Sequence, residues 1–237
     1  LDQGEFYAEF GNYEVQITLP DNYVVAATGD LQNASEADWL KNKQPFTRNL
    51  KAAKKAEQKK GAGMSELPSS AKTKTLQYKQ NNVHDFAWFA DKTFSVKTDT
   101  LQLPSGKIIT ANAFYYSENK ENWTNSITMI KRAILTKSKW LGEYPYNVVS
   151  VVDGGNGGGM EYPTITLLDD GGSEKSLDFV IYHEVGHNWF EAILGTNERL
   201  HPWMDEGMNT YYDNRYSMQQ YGNTNIEIGR TKSAFIN

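Results

Sequence analysis

The sequence predicts an α+β protein in which an antiparallel β-domain comes first and a helix-containing domain follows. Two observations support this prediction. In residues 5–28 and 75–116, polar and apolar residues alternate with the period of strands, and turn residues separate the runs. From about residue 118, apolar residues recur with the spacing of one helix face. We therefore predict a partial β-domain over residues 1–117 and a second domain over residues 118–237.

The β-domain is predicted from short alternating runs. In the first run every second residue from Tyr13 to Leu19 is apolar, and a Pro-Asp-Asn turn follows at residues 20–22. A second short strand is expected at 24–26. Further strands are predicted at residues 75–78, 86–89, 94–97 and 108–116.

Residues 36–74 interrupt these strands with a polar, lysine-rich insertion. The segment 36–80 carries eleven Lys and Arg residues against four Asp and Glu residues. Because no aromatic residues are interleaved with the lysines at 51–60, we predict a solvated insertion and not a nucleic-acid-binding surface. It should contain a short helix and loops near residues 61–63 and 68–70.

The second domain is predicted to alternate helices and strands. Ile127, Ile130, Ile134 and Leu141 form one apolar helix face. A buried strand is expected at 148–152, and a glycine-rich loop at 153–159 leads to another strand at 162–168. A helix should then run from about 176 to 194, with Ser176 as its N-cap, and a last helix from about 203 to 221.

Composition excludes several classes of protein. The chain has 237 residues, 39% of them hydrophobic, and no apolar run approaches the roughly eighteen residues that a membrane span requires. Cysteine is absent, so histidine and carboxylate side chains are the strong metal donors available. Residues 141–237 carry five Lys and Arg against fourteen Asp and Glu. This acidic end suits a cation or a peptide amino group and opposes nucleic acid, although a solvated acidic surface is the simpler alternative.

The most informative motif is His183-Glu184-x-x-His187. Histidines four residues apart project from one helix face, so both imidazoles can bind one metal ion. Glu184 lies between them and is turned toward the open side, where it can act as general base on a water molecule. A catalytic zinc ion takes three protein ligands and keeps one open position, and Glu206 follows after eighteen intervening residues as the third ligand. We therefore predict one Zn²⁺ ion.

Three motifs in order resemble the gluzincin aminopeptidases, the aminopeptidase N and leukotriene hydrolase type. They are Gly158-Gly159-Met160-Glu161-Tyr162, the segment from His183 to Phe190, and Trp203-Met204-Asp205-Glu206-Gly207. The match is strongest over residues 178–212 and weaker over the strands at 6–28 and 83–89. It implies a thermolysin-like zinc peptidase domain behind the β-domain.

The resemblance also implies residue roles. His183, His187 and Glu206 would hold zinc, and Glu184 would carry the proton to the leaving nitrogen. Glu161 would bind the free α-amino group of a peptide substrate, while Gly158, Gly159 and Met160 line the path of that substrate. The glycines allow backbone to approach an extended peptide. An exposed strand carboxylate at Glu161 and a flexible glycine hairpin are the alternatives.

The sequence departs from the family pattern at several positions. Tyr162 replaces an asparagine that usually ends the Gly-x-Met-Glu motif, and Asp205 replaces an asparagine that often precedes the third ligand. We expect Asp205 to orient a ligand imidazole, and an acid that simply suits the N-terminus of a helix is the alternative. The family's transition-state tyrosine lies further along the chain than the 31 residues after Glu206, so we expect it to be missing. A chain truncated at both ends, weakly active or inactive alone, is the expectation.

The leading functional hypothesis is a zinc aminopeptidase that acts on peptides with a free N-terminus. A zinc metalloendopeptidase is the alternative within catalysis, and a catalytically impaired peptide-binding homologue is the alternative outside it. The remaining histidines, His84 at a predicted strand start and His201 in a loop, are interpreted as structural. Three tyrosines of the last helix are interpreted as packing residues, namely Tyr211, Tyr212 and Tyr216.

Overall fold

The architecture is α+β, as predicted. A computed structural model describes residues 7–46, 67–154, 158–169 and 172–222. The strands are β1 (Gly11–Pro20), β2 (Val24–Ala27), β3 (Asp30–Leu31), β4 (Thr73–Val83), β5 (Trp88–Asp91), β6 (Ser95–Gln102), β7 (Ile108–Tyr115), β8 (Val148–Asp153), β9 (Gly159–Tyr162) and β10 (Ile165–Leu168). The α-helices are α1 (Ala34–Asn42), α2 (Ser126–Leu141), α3 (Glu174–Phe190) and α4 (Glu206–Tyr221).

The N-terminal part consists of two small antiparallel sheets. One has the order β1-β4-β3, and the other pairs β2 with β5. Strands β1 and β4 pair over their length, from Gly11 opposite Val83 to Pro20 opposite Thr73. The predicted strand at 75–78 is therefore the centre of a longer strand, because its alternation of buried and exposed residues continues into polar sequence that β1 pairs with.

A five-stranded sheet with the order β6-β7-β8-β10-β9 carries the rest of the fold. Its inner strands β7, β8 and β10 are parallel, while β6 and β9 run antiparallel to their neighbours at the two edges. Strand β7 ends at Tyr115 and pairs with β8, so one sheet contains strands from both sides of residue 118. This pairing opposes a boundary at that residue, and the division into two domains stays a prediction.

The sheet separates two hydrophobic clusters. On one face, α2 and α3 pack their apolar side chains against the sheet, and Ile134, Val151 and Ile181 are fully buried there. On the other face, Val152 and Ile165 contact a cluster that includes Val24 of β2. Helix α3 is buried on nearly all sides from Leu177 onward, which is the burial expected of a helix at the centre of a domain.

The helix bounds differ from the predictions by a few residues. Ser173, not Ser176, is the N-cap of α3, and its hydroxyl accepts a hydrogen bond from the Ser176 amide at 3.1 Å. The α-helix ends at Phe190, four residues before the predicted end, and turns follow. Helix α4 starts at Glu206 after a short 3-10 turn, and Gly222 ends it in the left-handed region with φ of 72°.

The strand predicted over residues 162–168 is wrong in one respect, because the segment is a hairpin. Strands β9 and β10 pair antiparallel around the two-residue loop Pro163–Thr164. Proline has no amide hydrogen for a sheet, and Thr164 has a positive φ of 65°, as the third residue of a type II turn requires. The glycines therefore lead into an edge strand and not directly into the sheet centre.

Helix α1 lies within the predicted lysine-rich insertion, but residues 47–66, including the loop predicted at 61–63, lie outside the described residues. Residues 68–70 have no regular secondary structure. None of the helices in the described parts of the chain combines the length and apolarity that a membrane crossing requires.

Candidate metal centre

Helix α3 presents two histidines to one point in the interior. The side chains of His183 and His187 are buried, and their Nε2 atoms lie 3.3 Å apart. Both residues lie in the middle of the α-helical segment, where backbone hydrogen bonds fix the positions of their Cα atoms. The predicted spacing of one helical turn therefore brings the two imidazoles together.

The outer nitrogens of both rings contact carboxylates. His183 Nδ1 lies 2.6 Å from Asp213 Oδ2, and His187 Nδ1 lies 2.7 Å from Asp205 Oδ1. A carboxylate can only accept, so each Nδ1 carries the proton and each Nε2 of a neutral ring presents a lone pair. If both rings are neutral, two Nε2 lone pairs 3.3 Å apart repel each other, so the pair favours a proton or a metal ion between them.

This donor geometry fits zinc. Two nitrogens bound at the usual zinc distance with a tetrahedral angle would lie about 3.3 Å apart. Glu206, the first residue of α4, brings Oε2 to 3.6 Å from His183 Nε2. The donor atoms of His183, His187 and Glu206 all lie within 4.8 Å of one another. The Glu206 side chain is 30% exposed, so this arrangement has one side open to solvent.

The protonation of the two histidines is set by opposing effects. Burial lowers the pKa of His183. The charge and the hydrogen bond of Asp213 together raise it by more than burial lowers it, so the net pKa lies above its usual value. Burial also lowers the pKa of His187, and Glu161 and Asp205 reverse this to leave the pKa well above its usual value. A cation that binds here must displace protons, which is the usual behaviour of histidine metal sites.

Glu184 lies beside the same point and has a different environment. Its side chain is buried, and its Oε2 atom has no hydrogen-bond partner among the described residues. Burial raises the pKa of the Glu184 carboxyl to about 7; His183 opposes this rise and Glu161 adds to it. Since a general base works best with a pKa near the ambient pH, the site suits proton transfer.

Strand β9 forms the wall next to Glu184. A Cβ atom on Gly159 would overlap the Glu184 carboxyl group, so only glycine allows this close approach. Gly158 precedes the strand with a positive φ of 103°. By the alternation of a strand, Met160 and Tyr162 point to the opposite face, where the Tyr162 ring lies 6.1 Å from Phe89. Met160 is therefore not brought to the metal cluster by its side chain.

Glu161 lies on the same strand and faces His187. Its side chain is buried, and Oε1 lies 3.8 Å from His187 Nδ1. The carboxylates of Glu161 and Asp205 and the His187 ring form a second group of candidate donors. Both groups share His187, but Glu161 and Asp205 face its Nδ1 atom, whereas His183 faces its Nε2 atom. Its carboxylate contacts the His187 imidazole, and the role predicted for Glu161 in binding an amino group stays a prediction.

The turn after β9 ties this strand to α3. Thr164 donates its backbone N–H to Asn188 Oδ1 at 2.9 Å, and its hydroxyl accepts from the Gly29 amide at 2.8 Å. Its carbonyl accepts from the Ser150 amide at 2.8 Å. Asn188 is the residue after the second histidine, so the position of β9 relative to the metal cluster is fixed by a fully buried turn.

Residues missed by the sequence reasoning support His183 from behind. Asp213 contacts its Nδ1, and Asn209 donates from Nδ2 to its backbone carbonyl at 2.8 Å. Asn209 lies three residues and Asp213 seven residues after Glu206. This is the spacing of one helix face, so the sequence already indicated that the three residues lie together. Lys137, which contacts Asn209, comes from a distant part of the chain and gave no such signal.

The other histidines lie outside the cluster. His84 follows the end of β4, not a strand start as predicted, and its Nε2 lies 3.0 Å from Glu191 Oε1. Burial lowers the pKa of His84, but the hydrogen bond and charge of Glu191 produce a net rise. His201 is exposed in the loop before α4. Two of the tyrosines predicted to pack do so, since Tyr216 stacks on Tyr182 at 3.8 Å and Tyr212 on Phe190 at 5.5 Å.

The fold defined by this sheet and these helices is that of the M1 zinc metallopeptidases, as comparison with solved structures shows. An M1 zinc metallopeptidase from Deinococcus radiodurans superposes with a TM-score of 0.60 and 18% identity over 90% of this chain and 42% of the other. A mutant from the same organism, bound to a Tyr-Ser-Ala substrate, gives 0.61 and 18% over 92% and 43%.

Legionella pneumophila aminopeptidase A, in complex with aspartic acid, gives a TM-score of 0.64 and 12% identity over 89% of this chain and 23% of the other. The chain thus spans less than half the length of these structures. No protein-family model matches the sequence, and no curated protein matches it either. At these identities the likeness concerns the fold.

Proposed function

We propose that this chain contains the metal centre of a zinc-dependent aminopeptidase, a gluzincin with a thermolysin-like catalytic domain, which hydrolyses the N-terminal peptide bond of peptides. The observation that carries the proposal is one group of side chains: two imidazole Nε2 atoms 3.3 Å apart, the buried Glu184 that interacts with both rings, and Glu161 at 3.8 Å from His187 Nδ1. The solved structures with this fold are zinc metallopeptidases, some of them bound to amino acids or a peptide.

His183, His187 and Glu206 would hold one zinc ion, with Asp205 and Asp213 keeping the imidazoles in the required tautomer. When bound, zinc supplies Lewis acidity, which lowers the pKa of water and polarises a carbonyl group. A single ion is proposed because His187 Nδ1, which faces Asp205 and Glu161, would carry the proton shared with Asp205 and so has no lone pair for a second ion.

Glu184 would move the proton in this reaction. Its carboxylate takes a proton from the attacking water and delivers it to the nitrogen of the departing peptide, which then leaves as a neutral amine. The buried environment that raises the pKa of Glu184 to about 7 supports both steps, since the group neither holds nor loses its proton too strongly near neutral pH.

Strand β9 would align the substrate. It lies at the edge of the five-stranded sheet, and within the described residues only β10 pairs with it. An extended peptide can add to such an edge through backbone hydrogen bonds, and Gly158 and Gly159 leave its path clear of side chains. The scissile carbonyl would then lie against Glu184, since Gly159 contacts that carboxyl group directly.

Glu161 would select substrates with a free N-terminus. On β9 it follows Gly159 by two residues, so its carboxylate lies on the same face of the strand as Glu184. A protonated α-amino group that pairs with it would place the first peptide bond of the substrate near the metal and exclude longer N-terminal extensions. This arrangement converts a zinc peptidase into an exopeptidase.

One observation favours a second candidate, a zinc metalloendopeptidase. Glu161 Oε1 lies 3.8 Å from His187 Nδ1, and a carboxylate held there would orient the imidazole and meet no amine. A catalytically impaired peptide-binding protein is less well supported, because binding alone needs no unpaired general base at Glu184.

The test compares a peptide with a free N-terminus and its N-acetylated form as substrates of the intact, zinc-loaded protein. We expect the free peptide to be cleaved and the acetylated form to be at least about 100-fold slower in kcat/KM, the loss of one buried ion pair. Equal rates would establish the endopeptidase. Absence of zinc from the purified protein, after dialysis against a zinc-containing buffer, would contradict both.

A matched pair of variants locates the selectivity. Glu161→Gln should remove most of the preference for the free N-terminus and leave the zinc content unchanged. Glu174→Gln, at the exposed start of α3, makes the same chemical change away from the site and should leave the preference intact. A preference that survives Glu161→Gln would assign amine recognition to another group.

A further inference from the structure

One lysine of helix α2 is buried in the interior, next to the part of α3 that carries the proposed metal ligands. Lys137 is the only Lys or Arg that is buried among the described residues, and none of its surface is exposed. A buried ammonium group loses most of its hydration, so it is retained only where other groups compensate. The groups around Lys137 therefore indicate what it does.

Two polar groups of α4 compensate the ammonium. Lys137 Nζ donates to Asn209 Oδ1 at 2.5 Å and lies 3.7 Å from Asp213 Oδ1. The Tyr182 ring covers it at 4.3 Å from the ring centroid. Both Asn209 and Asp213 also contact His183, so a single side chain separates the ammonium group from a proposed metal ligand.

The contact with Lys137 determines how Asn209 is oriented. An ammonium group only donates, so it must face the amide oxygen, and the amide nitrogen must then face the other way. That nitrogen donates to the His183 carbonyl at 2.8 Å. Without the ammonium, the amide could turn over and present its oxygen to the carbonyl, which would break this contact.

The contact with Asp213 joins the lysine to the imidazole. The Asp213 carboxylate lies between the two side chains, with Oδ2 at 2.6 Å from His183 Nδ1 and Oδ1 at 3.7 Å from Lys137 Nζ. A carboxylate that accepts from Nδ1 fixes the tautomer and the orientation of a metal-ligating histidine.

The sequence makes room for this lysine at Gly186, between the two histidines. A Cβ atom there would overlap both Lys137 Nζ and Asn209 Oδ1. Glycine in the middle of a helix is otherwise unfavourable compared with alanine. The small residue in the centre of the zinc motif is thus explained by the ammonium group that packs against it.

We propose that Lys137 is a positioning residue of the metal centre, whose ammonium holds Asn209 and Asp213 against His183 and so fixes the imidazole that binds the metal. This inference rests on the proposed zinc site. It differs from a purely structural role, in which Lys137 would contribute to folding and leave the metal affinity of the folded protein unchanged.

The experiment measures zinc affinity by chelator competition and the visible spectrum of the Co²⁺-substituted protein. Lys137→Met keeps an unbranched side chain that is one atom shorter, and it removes the charge and the donors. We expect its zinc affinity to fall about 10–100-fold, the range typical of lost contacts to a ligating histidine, and its cobalt spectrum to change. Lys131→Met, the control, removes a lysine of the same helix that pairs with Asp99 on the surface and should match wild type.

Zinc affinity and cobalt spectrum equal to those of wild type would overturn the inference, even if Lys137→Met lowers the melting temperature. If Lys137→Met does not fold, as judged by circular dichroism, Lys137→Gln is measured by the same criteria. Wild-type protein that binds no zinc would instead contradict the proposed function. The two failures are therefore distinguishable without any measurement of turnover.

Discussion

Helix α3 buries one carboxyl group near its start and another in its middle, and the surroundings of the two differ. Near the start, Asp178 accepts hydrogen bonds from Arg132, Tyr216 and Tyr221. In the middle, Glu184 is also buried, yet its Oε2 atom has no partner among the described residues. Burial of charge is common to both regions, so it does not identify the site.

The satisfaction of the buried groups is what separates the two regions. Asp178 has a cation and two hydroxyl groups, which is the complement a buried carboxylate needs for stability. Around Glu184, by contrast, its Oε2 atom has no hydrogen-bond partner among the described residues, and the Nε2 atoms of the two histidines lie 3.3 Å apart. A buried carboxylate oxygen without a partner is typical of a position that an ion or a reacting group completes.

The sharpest separation of the two regions should come from Glu184→Gln. Because only the proton acceptor is lost, we expect kcat to fall about 10²–10⁴-fold, the usual range for a general base, while bound zinc is retained. Steady-state kinetics on the intact protein and metal analysis check this. Loss of zinc together with activity would show that Glu184 belongs to the structural class of Asp178.

The corresponding change near the start of α3 is Asp178→Asn, which is expected to affect stability and not the metal site. It leaves Arg132 without its charge partner and turns an amide nitrogen toward donors, so we expect a loss of about 3 kcal/mol in the free energy of unfolding. Urea denaturation measures this loss. The zinc affinity of the folded variant should equal that of wild type. A weaker affinity at unchanged stability would show that Asp178 belongs to the metal site and is not a purely structural residue.

The cations of the two regions should differ in their pH dependence. Burial lowers the pKa of Lys137 to about 8, although Asp213, Asp205 and Glu184 oppose this shift. The unfolded chain, with a pKa of about 10.5, then binds more protons between pH 8 and 10, so folding stability rises with pH in that window.

Relative to Lys137→Met, the metal-free wild type should gain about 2–3 kcal/mol from pH 8 to 10. Chemical denaturation at both pH values measures the gain. Arg132→Met serves as the comparison, since a guanidinium stays charged throughout and gives no such gain. A flat difference between wild type and Lys137→Met would mean that the amine titrates outside this range.

The smallest effect is expected from Asp205→Asn. The amide keeps the shape of the side chain but no longer stabilises the Nδ1 proton of His187, so zinc affinity should weaken about 10–100-fold, or roughly 1.4–2.7 kcal/mol. Chelator competition measures the change, with Asp178→Asn as the control of equal charge. Unchanged affinity would show that the 2.7 Å contact does not orient the ligand.

Local spacing explains which parts of the site were predictable. His183, Glu184 and His187 share one helix, and their spacing fixes their relative placement before any tertiary structure is known. Glu206 lies on a second helix and needed the order of the motifs. Asp213 follows it by two helical turns, so helical spacing alone places it on the same face as Glu206 and made it predictable.

Contacts between distant segments were not predictable. Lys137 and Asn209 are 72 residues apart and meet only because α2 and α4 pack against the same helix. The hairpin at 163–164 was missed because a proline inside an apolar run was not interpreted as a turn. The predicted boundary near residue 118 marks a change of period along the chain, whereas the sheet joins strands by pairing across it.

The two-residue turn at Thr164 makes the two halves of the site separable in evolution. Side chains alternate along β9, so inserting or deleting one residue there would exchange Glu161 for a neighbour on the face toward α3. The histidines and Glu206 lie on other elements and would be untouched. With the roles proposed above, a single codon insertion in this turn would change the recognition of a substrate amino group and leave the proposed metal ligands in place.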